Sequence, residues 1–267
     1  MVVFDPELAA RMKMPKEMLE KAPELHFTMH IGKQHIHAAL YDFSIASCLW
    51  NVHSEIPVGL SPFKFIYQRN WIEGVFRRCS VTFDSDTYAL VPTPLFDENS
   101  CNDYLHMQHG LQQTQTGFIE LTEVDAVICY ELPEWYAELI RCFPNARILP
   151  LSALIARTAV AKMNQAKAEM VVAFSSSSVT IAAVKSKALV LLTTHEARTH
   201  EDVLYQISNA AMRLQIDLDD CSIELLDATD STELLLLLKQ YVKEAKSFAF
   251  PVSTNGSAVT QLHYLCA

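Results

Sequence analysis

Glycine is scarce in this chain: six in 267 residues, at positions 32, 59, 74, 110, 117 and 256, with none between Phe118 and Asn255. Phosphate-cradling loops need backbone to approach the ligand closely, and glycine allows that at the lowest steric cost. The second half of the chain therefore lacks the material for an ordinary phosphate loop. Basic charge is also short. The chain carries 31 acidic against 21 basic residues, a formal charge of -10, which excludes a surface that gathers polyanions by its overall field. Nucleic acid is not expected as a partner, and Lys162, Lys167, Lys185 and Lys187 read as solvated surface lysines. The seven cysteines stand singly, with no C-x-x-C pair, as in a reducing compartment. No apolar run approaches the ~20 residues of a membrane span; the strongest covers only residues 234–238. The opening residues lack the apolar stretch and cleavage site of a signal peptide. A cytoplasmic location without a membrane partner is the expectation.

What is present is apolar material in plenty. Half of the residues are hydrophobic and 19% charged, enough for two packed domains of ~130 residues each. Residues 1–24 mix Leu and Met with Lys and Glu and read as a helical arm. Three strand-like stretches follow at 25–31, 34–41 and 45–53, alternating apolar and polar residues around short turns at Gly32-Lys33 and at residues 42–44. A helix over 61–78 is predicted from Ser61-Pro62 and the spacing of Phe65, Ile66, Trp71, Ile72, Val75 and Phe76. Strands at 81–83, 88–91, 118–121, 126–130 and 146–149 alternate with helices at 94–105, 133–143 and 151–163. After Asn164 the opening pattern returns: strands at 170–174, 179–184 and 189–194, a capped helix at 199–215, a strand at 222–226, a helix at 231–242 and a strand at 248–252. The order strand-strand-strand-helix-strand-helix-strand thus occurs twice. Residues 253–267 read as a tail of uncertain order.

Four stretches carry a resemblance. They are the hairpin around His30-Ile31-Gly32, residues 90–96 (LVPTPLF), residues 149–152 (LPLS) and residues 199–205 (THEDVLY). On these the chain resembles a bacterial family of unknown function, typical of Bacteroidetes and designated domain of unknown function 3822, whose members share the actin-like ATPase fold. The resemblance implies an α/β protein with two related domains of actin-like ATPase (ribonuclease H-like) type and mixed sheets: an arm at 1–24, domains at 25–164 and 165–252, and a tail at 253–267.

In such ATPases the first hairpin carries Asp-x-Gly-x-x-x-Thr/Ser, where the acid orders Mg2+ and the turn holds phosphate oxygens. Here Gly32 survives, the acid is replaced by His30, and Lys33 and Gln34 follow the glycine. The second hairpin falls on Ser175, Ser176, Ser177 and Ser178, without acid or glycine; the Gly-Gly pair near the adenosine is replaced by residues 226–229 (LDAT). Three such losses leave the phosphate charge unneutralised. The resemblance then implies a pseudo-ATPase: a non-catalytic module that binds another protein through the interdomain cleft and outer faces, needing no cofactor. The alternative is an ATP-binding protein with little or no hydrolysis, using Gly32, Lys33, Gln34 and Ser175 to Ser178.

The residues permit one further chemistry. A turn at Gly32-Lys33 sets His30 opposite His35 and Thr28 opposite His37, so that His30, His35 and His37, with His26, share one face of the hairpin. Three such imidazoles are candidate Zn2+ ligands, although exposed strand histidines are commonplace and no neighbouring carboxylate is evident. Asp84 and Asp86 read as turn residues, and Cys129 as a small buried hydrophobe.

Overall fold

The computed structural model describes residues 13–42, 44–45, 47–57, 59–110, 113–162, 167–174, 177–227, 232–248 and 258–265. They fall into two compact units, the first drawn from Met1–Asp84, Pro133–Leu149 and Phe250–Tyr264, the second from Ser85–Leu132, Pro150–Ala249 and Leu265–Ala267.

In chain order, a short helix α1 (Lys16–Glu20) precedes strands β1 (His26–Ile31), β2 (His35–Asp42) and β3 (Ser47–Glu55), helix α2 (Pro62–Tyr67) and strand β4 (Arg78–Phe83). The second unit then supplies β5 (Tyr88–Pro92), α3 (Cys101–His109), β6 (Thr116–Leu121) and β7 (Ala126–Glu131), before α4 (Tyr136–Cys142) and β8 (Ala146–Pro150). There follow α5 (Leu151–Ala161), β9 (Ala168–Phe174), β10 (Ser178–Lys185), β11 (Ala188–Glu196), α6 (His200–Leu214), β12 (Cys221–Asp227), α7 (Thr232–Leu238), β13 (Glu244–Ser247) and α8 (Ala258–Leu265).

The repeat expected from the sequence is present as two sheets of one topology, β3-β2-β1-β4-β8 and β11-β10-β9-β12-β13. In each, an antiparallel meander is extended by a parallel strand beside its first member, β1 with β4 and β9 with β12. A third sheet, β5-β7-β6, belongs to the second unit and packs on α3 through Ala89, Val91, Cys101, Leu105 and Cys129. Cys129 is the buried small side chain expected of it, with its Sγ 3.3 Å from that of Cys101.

Both faces of β1 are buried, although its residues alternate in polarity as His-Phe-Thr-Met-His-Ile. One face is an aromatic core, in which Phe27 stacks on Phe76 at 4.7 Å and Phe143 at 5.8 Å, and Trp71 lies 5.6 Å from Trp50. The other face carries His26, Thr28 and His30 beside Ser80 and Thr82 of β4, all at most 5% exposed. Buried polar groups of this kind need partners; His26 Nε2 finds Ser80 Oγ at 2.8 Å.

In the second unit the apolar face of β9, β10 and β12 packs on α6 and α7 through Met170, Val172, Ile181, Ile207, Ile223 and Leu234. Helix α6 starts on a complete capping box, Thr199 Oγ1 accepting from the Asp202 amide while the Asp202 carboxylate accepts from the Thr199 amide. The opposite face of β12 holds Glu224, clamped by Lys162 and by Lys246. Lys167 pairs with Glu244, and Lys185 Nζ donates to the last carbonyls of α6. Three of the four central lysines therefore have partners within this unit and form no free basic strip.

Several expectations are corrected. The helix predicted over 61–78 stops at Tyr67 and is followed by a 3-10 turn at Asn70–Glu73 and an extended Gly74. Ser61 makes no side-chain cap bond, and Val75 of the supposed apolar stripe is 78% exposed, so those residues never formed one helix face. The helix at 94–105 begins instead at Cys101, after 3-10 turns at Thr93–Leu95 and Glu98–Ser100. The last strand is Glu244–Ser247 rather than 248–252, of which only Phe248 lies within the described residues. The C-terminal tail contains helix α8, with Val259 and Leu262 buried and Thr260 Oγ1 3.1 Å from the Tyr41 hydroxyl. Of the N-terminal arm only residues from Lys13 onward are described. Among the described residues no helix is long and apolar enough to cross a membrane.

Candidate functional site

The first hairpin turns one step later than its glycine suggests. Gly32 donates its amide to the His35 carbonyl at 2.8 Å, leaving Lys33 and Gln34 at the exposed tip. The register follows: His30 faces His37, Ile31 faces Ile36, and on the far side His37 faces His53 of β3. The expected pairing of His30 with His35 is therefore corrected by two residues. Because the shift is even, the same side chains stay on the same face.

At Gly32 the nearest neighbour is a side chain, which a larger residue would have to push aside. The His35 ring lies across it, so that a Cβ at position 32 would stand 2.4 Å from the imidazole. Directly beside the turn ends β4, which runs parallel to β1 with Ile31 in register with Phe83. The next residue, Asp84, has one carboxylate oxygen 2.9 Å from His30 Nε2, and its other oxygen accepts from the Lys33 amide at 3.3 Å. The carboxylate is only 11% exposed. Burial alone would raise its pKa, but the charge and hydrogen bond of His30, the charge of His35 and the Lys33 amide together hold it below the usual carboxylate range.

Four imidazoles from three adjacent strands form one cluster, of which His30 touches this carboxylate. Ring centroids are 5.3 Å apart for His30 and His35, 5.0 Å for His35 and His37, 6.2 Å for His30 and His37, and 4.0 Å for the stacked His37 and His53. His30 Nδ1 and His35 Nε2 are buried without a hydrogen-bond partner. Burial first, then the neighbouring His30 and His53, against some relief from Asp84, hold His35 down at about 4. Burial, His53, His30 and His35 take His37 to about 3, again with Asp84 acting in the opposite sense. Both rings are neutral near pH 7. As placed, the donor atoms of no three His, Cys, Asp or Glu side chains among the described residues are grouped so as to hold a metal ion.

His30, His35, His37, Gly32, Lys33 and Gln34 are thus brought together. Ser175 and Ser176 of the second hairpin lie outside the described residues; Ser177 is exposed, with its carbonyl accepting from the Ala197 amide, and Ser178 opens β10. Of the stretch at 226–229, Ala228 and Thr229 also lie outside the described residues. Sequence reasoning missed His53 and Asp84. A histidine on the third strand at the parity set by the hairpin could have signalled the first. Nothing local marks Asp84, since 54 residues separate it from His30 and only the β1–β4 pairing joins them.

Among solved structures, a protein from Bacteroides thetaiotaomicron VPI-5482 described as having an actin-like ATPase fold and unknown function aligns over 95% of this chain and 100% of its own, with a TM-score of 0.78 at 14% identity. The weaker likenesses include a chain of the PilM-PilN type IV pilus biogenesis complex (TM-score 0.49, 9% identity, 84% of this chain and 88% of that one). Another is the inorganic polyphosphate/ATP-glucomannokinase of Arthrobacter sp. strain KM (TM-score 0.47, 9% identity, 91% and 98%). No curated protein sequence matches. The duplicated sheet topology and the first of these likenesses establish the actin-like ATPase fold, with mixed sheets in an α/β chain. A family model covers residues 22–245, and the chain belongs to that family, described as protein of unknown function (DUF3822).

Proposed function

We propose that this protein is a non-catalytic protein-interaction module whose actin-like scaffold has given up nucleotide binding. One observation carries the reading: the backbone amide of Lys33, at the tip of the first hairpin, donates to the chain's own Asp84 carboxylate. A turn amide of this kind is the group that an actin-like ATPase would aim at a phosphate oxygen. With the Asp84 carboxylate on that amide, an arriving phosphate meets a donor already engaged. The His35 ring over Gly32 further obstructs close approach to the turn. The loss of acid and glycine from the second hairpin points the same way.

The interaction half of the proposal draws on α6, where Tyr205 and Met212, two turns apart on one stripe, are 65% and 71% exposed. Thermal unfolding with and without millimolar ATP and Mg2+ tests the first half. The expected result is an unchanged midpoint. Saturation at a hundred times Kd would add ~2.7 kcal/mol and raise the midpoint by roughly 5 to 10 °C. A rise of that size would overturn the proposal in favour of the ATP-binding alternative through Gly32, Lys33, Gln34 and Ser175 to Ser178. The second half predicts a stoichiometric protein partner of the tagged full chain that is lost from the double variant Tyr205→Asp, Met212→Asp. A partner retained by that variant would move the interface off α6.

A further inference from the structure

We infer that the histidine cluster of β1 and β2 is a binding site for one borderline divalent cation of the Zn2+ class, with His30, His35 and His37 as ligands and Asp84 as the positioning residue.

Spacing is the first support. Three imidazoles around one tetrahedral ion, each with its nitrogen about 2 Å from the metal, hold their ring centroids roughly 5 Å apart. The three rings here stand 5.3, 5.0 and 6.2 Å apart, so two of the three pairs already have the separation that ligands require and His30 and His37 must close by about 1 Å. Unmet donors are the second support. In the tautomer that donates from Nε2 to Asp84, His30 carries a lone pair on Nδ1, and that atom is buried without a hydrogen-bond partner in a side chain only 2% exposed. His35 Nε2 is likewise buried and unpartnered. Leaving two such nitrogens unsatisfied is costly, and a cation shared between them removes the cost.

The carboxylate is the third support. A histidine that ligates through one nitrogen and donates through the other to a carboxylate is held in the tautomer and orientation that ligation needs, and Asp84 does this for His30. What remains is a shift of the His35 and His37 side chains about Cα–Cβ and Cβ–Cγ, with His30 held on Asp84, because the donor atoms are not yet aimed at one point. His53, stacked face to face on His37 at 4.0 Å and exposed to solvent, supports that ring rather than completing the set. The fourth position of a tetrahedral ion is then left to water or to a ligand atom.

The test uses the full chain, freed of metal with a chelator and titrated with Co2+ and then Zn2+. One Co2+ per chain is expected to develop the visible absorption of a tetrahedral ion and to be displaced by Zn2+. The seven cysteines are the competing ligands, and thiolate ligation would add intense near-ultraviolet charge-transfer bands that an imidazole site lacks. His35→Asn and His37→Asn should each abolish the colour while circular dichroism stays native, and His106→Asn should not. Asp84→Asn should weaken binding roughly 10- to 100-fold and leave the spectral shape unchanged. A wild-type chain that develops no tetrahedral spectrum, or one with thiolate bands, overturns the inference whatever the variants do; so does colour that survives in natively folded His35→Asn and His37→Asn.

Discussion

Lowering the pH from 7.5 to 5.0 is expected to reduce the thermal midpoint of this protein by roughly 10 °C, well before most carboxylates are protonated. The effect comes from three histidines held neutral in the folded chain. Burial, with a smaller contribution from Arg78, takes His26 down to about 4. His35 lies at about 4 and His37 at about 3, for the reasons of burial and like charge described above. In the unfolded chain all three titrate near 6.5. Between about 6.5 and 4 the unfolded state therefore binds more protons than the folded one, and stability falls as pH falls. The loss is complete only when the pH passes the folded values, near 4 for His26 and His35 and near 3 for His37. At pH 5 each histidine accounts for up to about 2 kcal/mol. His35 is partly exposed and the rings interact, so solvent screening and coupling reduce the total to about 3 to 5 kcal/mol.

For a chain of this length each kcal/mol moves the midpoint by roughly 2 to 4 °C. Asp84 acts in the same direction at lower pH, because its carboxyl is held below the usual range and its contribution is lost only on further acidification. Thermal unfolding followed by circular dichroism at closely spaced pH values, in metal-free buffer, makes the check. His37→Gln should flatten the slope between pH 6.5 and 5. A midpoint constant over that interval, with all loss below pH 4, would show that carboxylates alone govern acid unfolding.

The sequence made the architecture legible wherever the signal was local. Alternating residues bounded by short turns located each meander, and the capped helix expected from Thr199 is α6, whose capping box with Asp202 lies within four residues. What depended on long-range pairing was not legible. Asp84 reads as an ordinary turn aspartate until β4 lies parallel to β1 and delivers it to the hairpin. The polar face of β1 looked like a solvated face by its alternation, yet His26, Thr28 and His30 are buried. Helix length failed where aromatic residues fixed the chain by packing. Trp71, fully buried near Phe27 and Trp50, holds a 3-10 turn where spacing suggested a continuing helix. At the candidate site, the residue types of the hairpin were visible in the sequence. Its register was not, since a Gly-Lys pair suits a two-residue turn and only the Gly32-to-His35 hydrogen bond places the turn one step later.

The C-terminal segment gives the second large effect: replacing Leu262 by Ala should cost about 2 to 5 kcal/mol, the range for a buried leucine whose cavity only partly collapses. A frayed tail would make this substitution silent. In helix α8, however, Leu262 is fully buried, Val259 is 5% exposed, and Thr260 and Gln261 between them are also buried. Polar side chains survive such burial only with partners. Thr260 has one in the hydroxyl of Tyr41, itself buried on β2 and carrying a pKa raised first of all by desolvation. The helix therefore closes over the same face of the first sheet that bears His26 and Thr28, since Tyr41 is in register with His26 across the hairpin. Urea unfolding of Leu262→Ala should show a lower midpoint with an unchanged slope, and Thr260→Val, which removes the Tyr41 partner while keeping the shape, should cost about 1 to 3 kcal/mol. A Leu262→Ala change below about 0.5 kcal/mol is the surface value and would detach α8 from the fold.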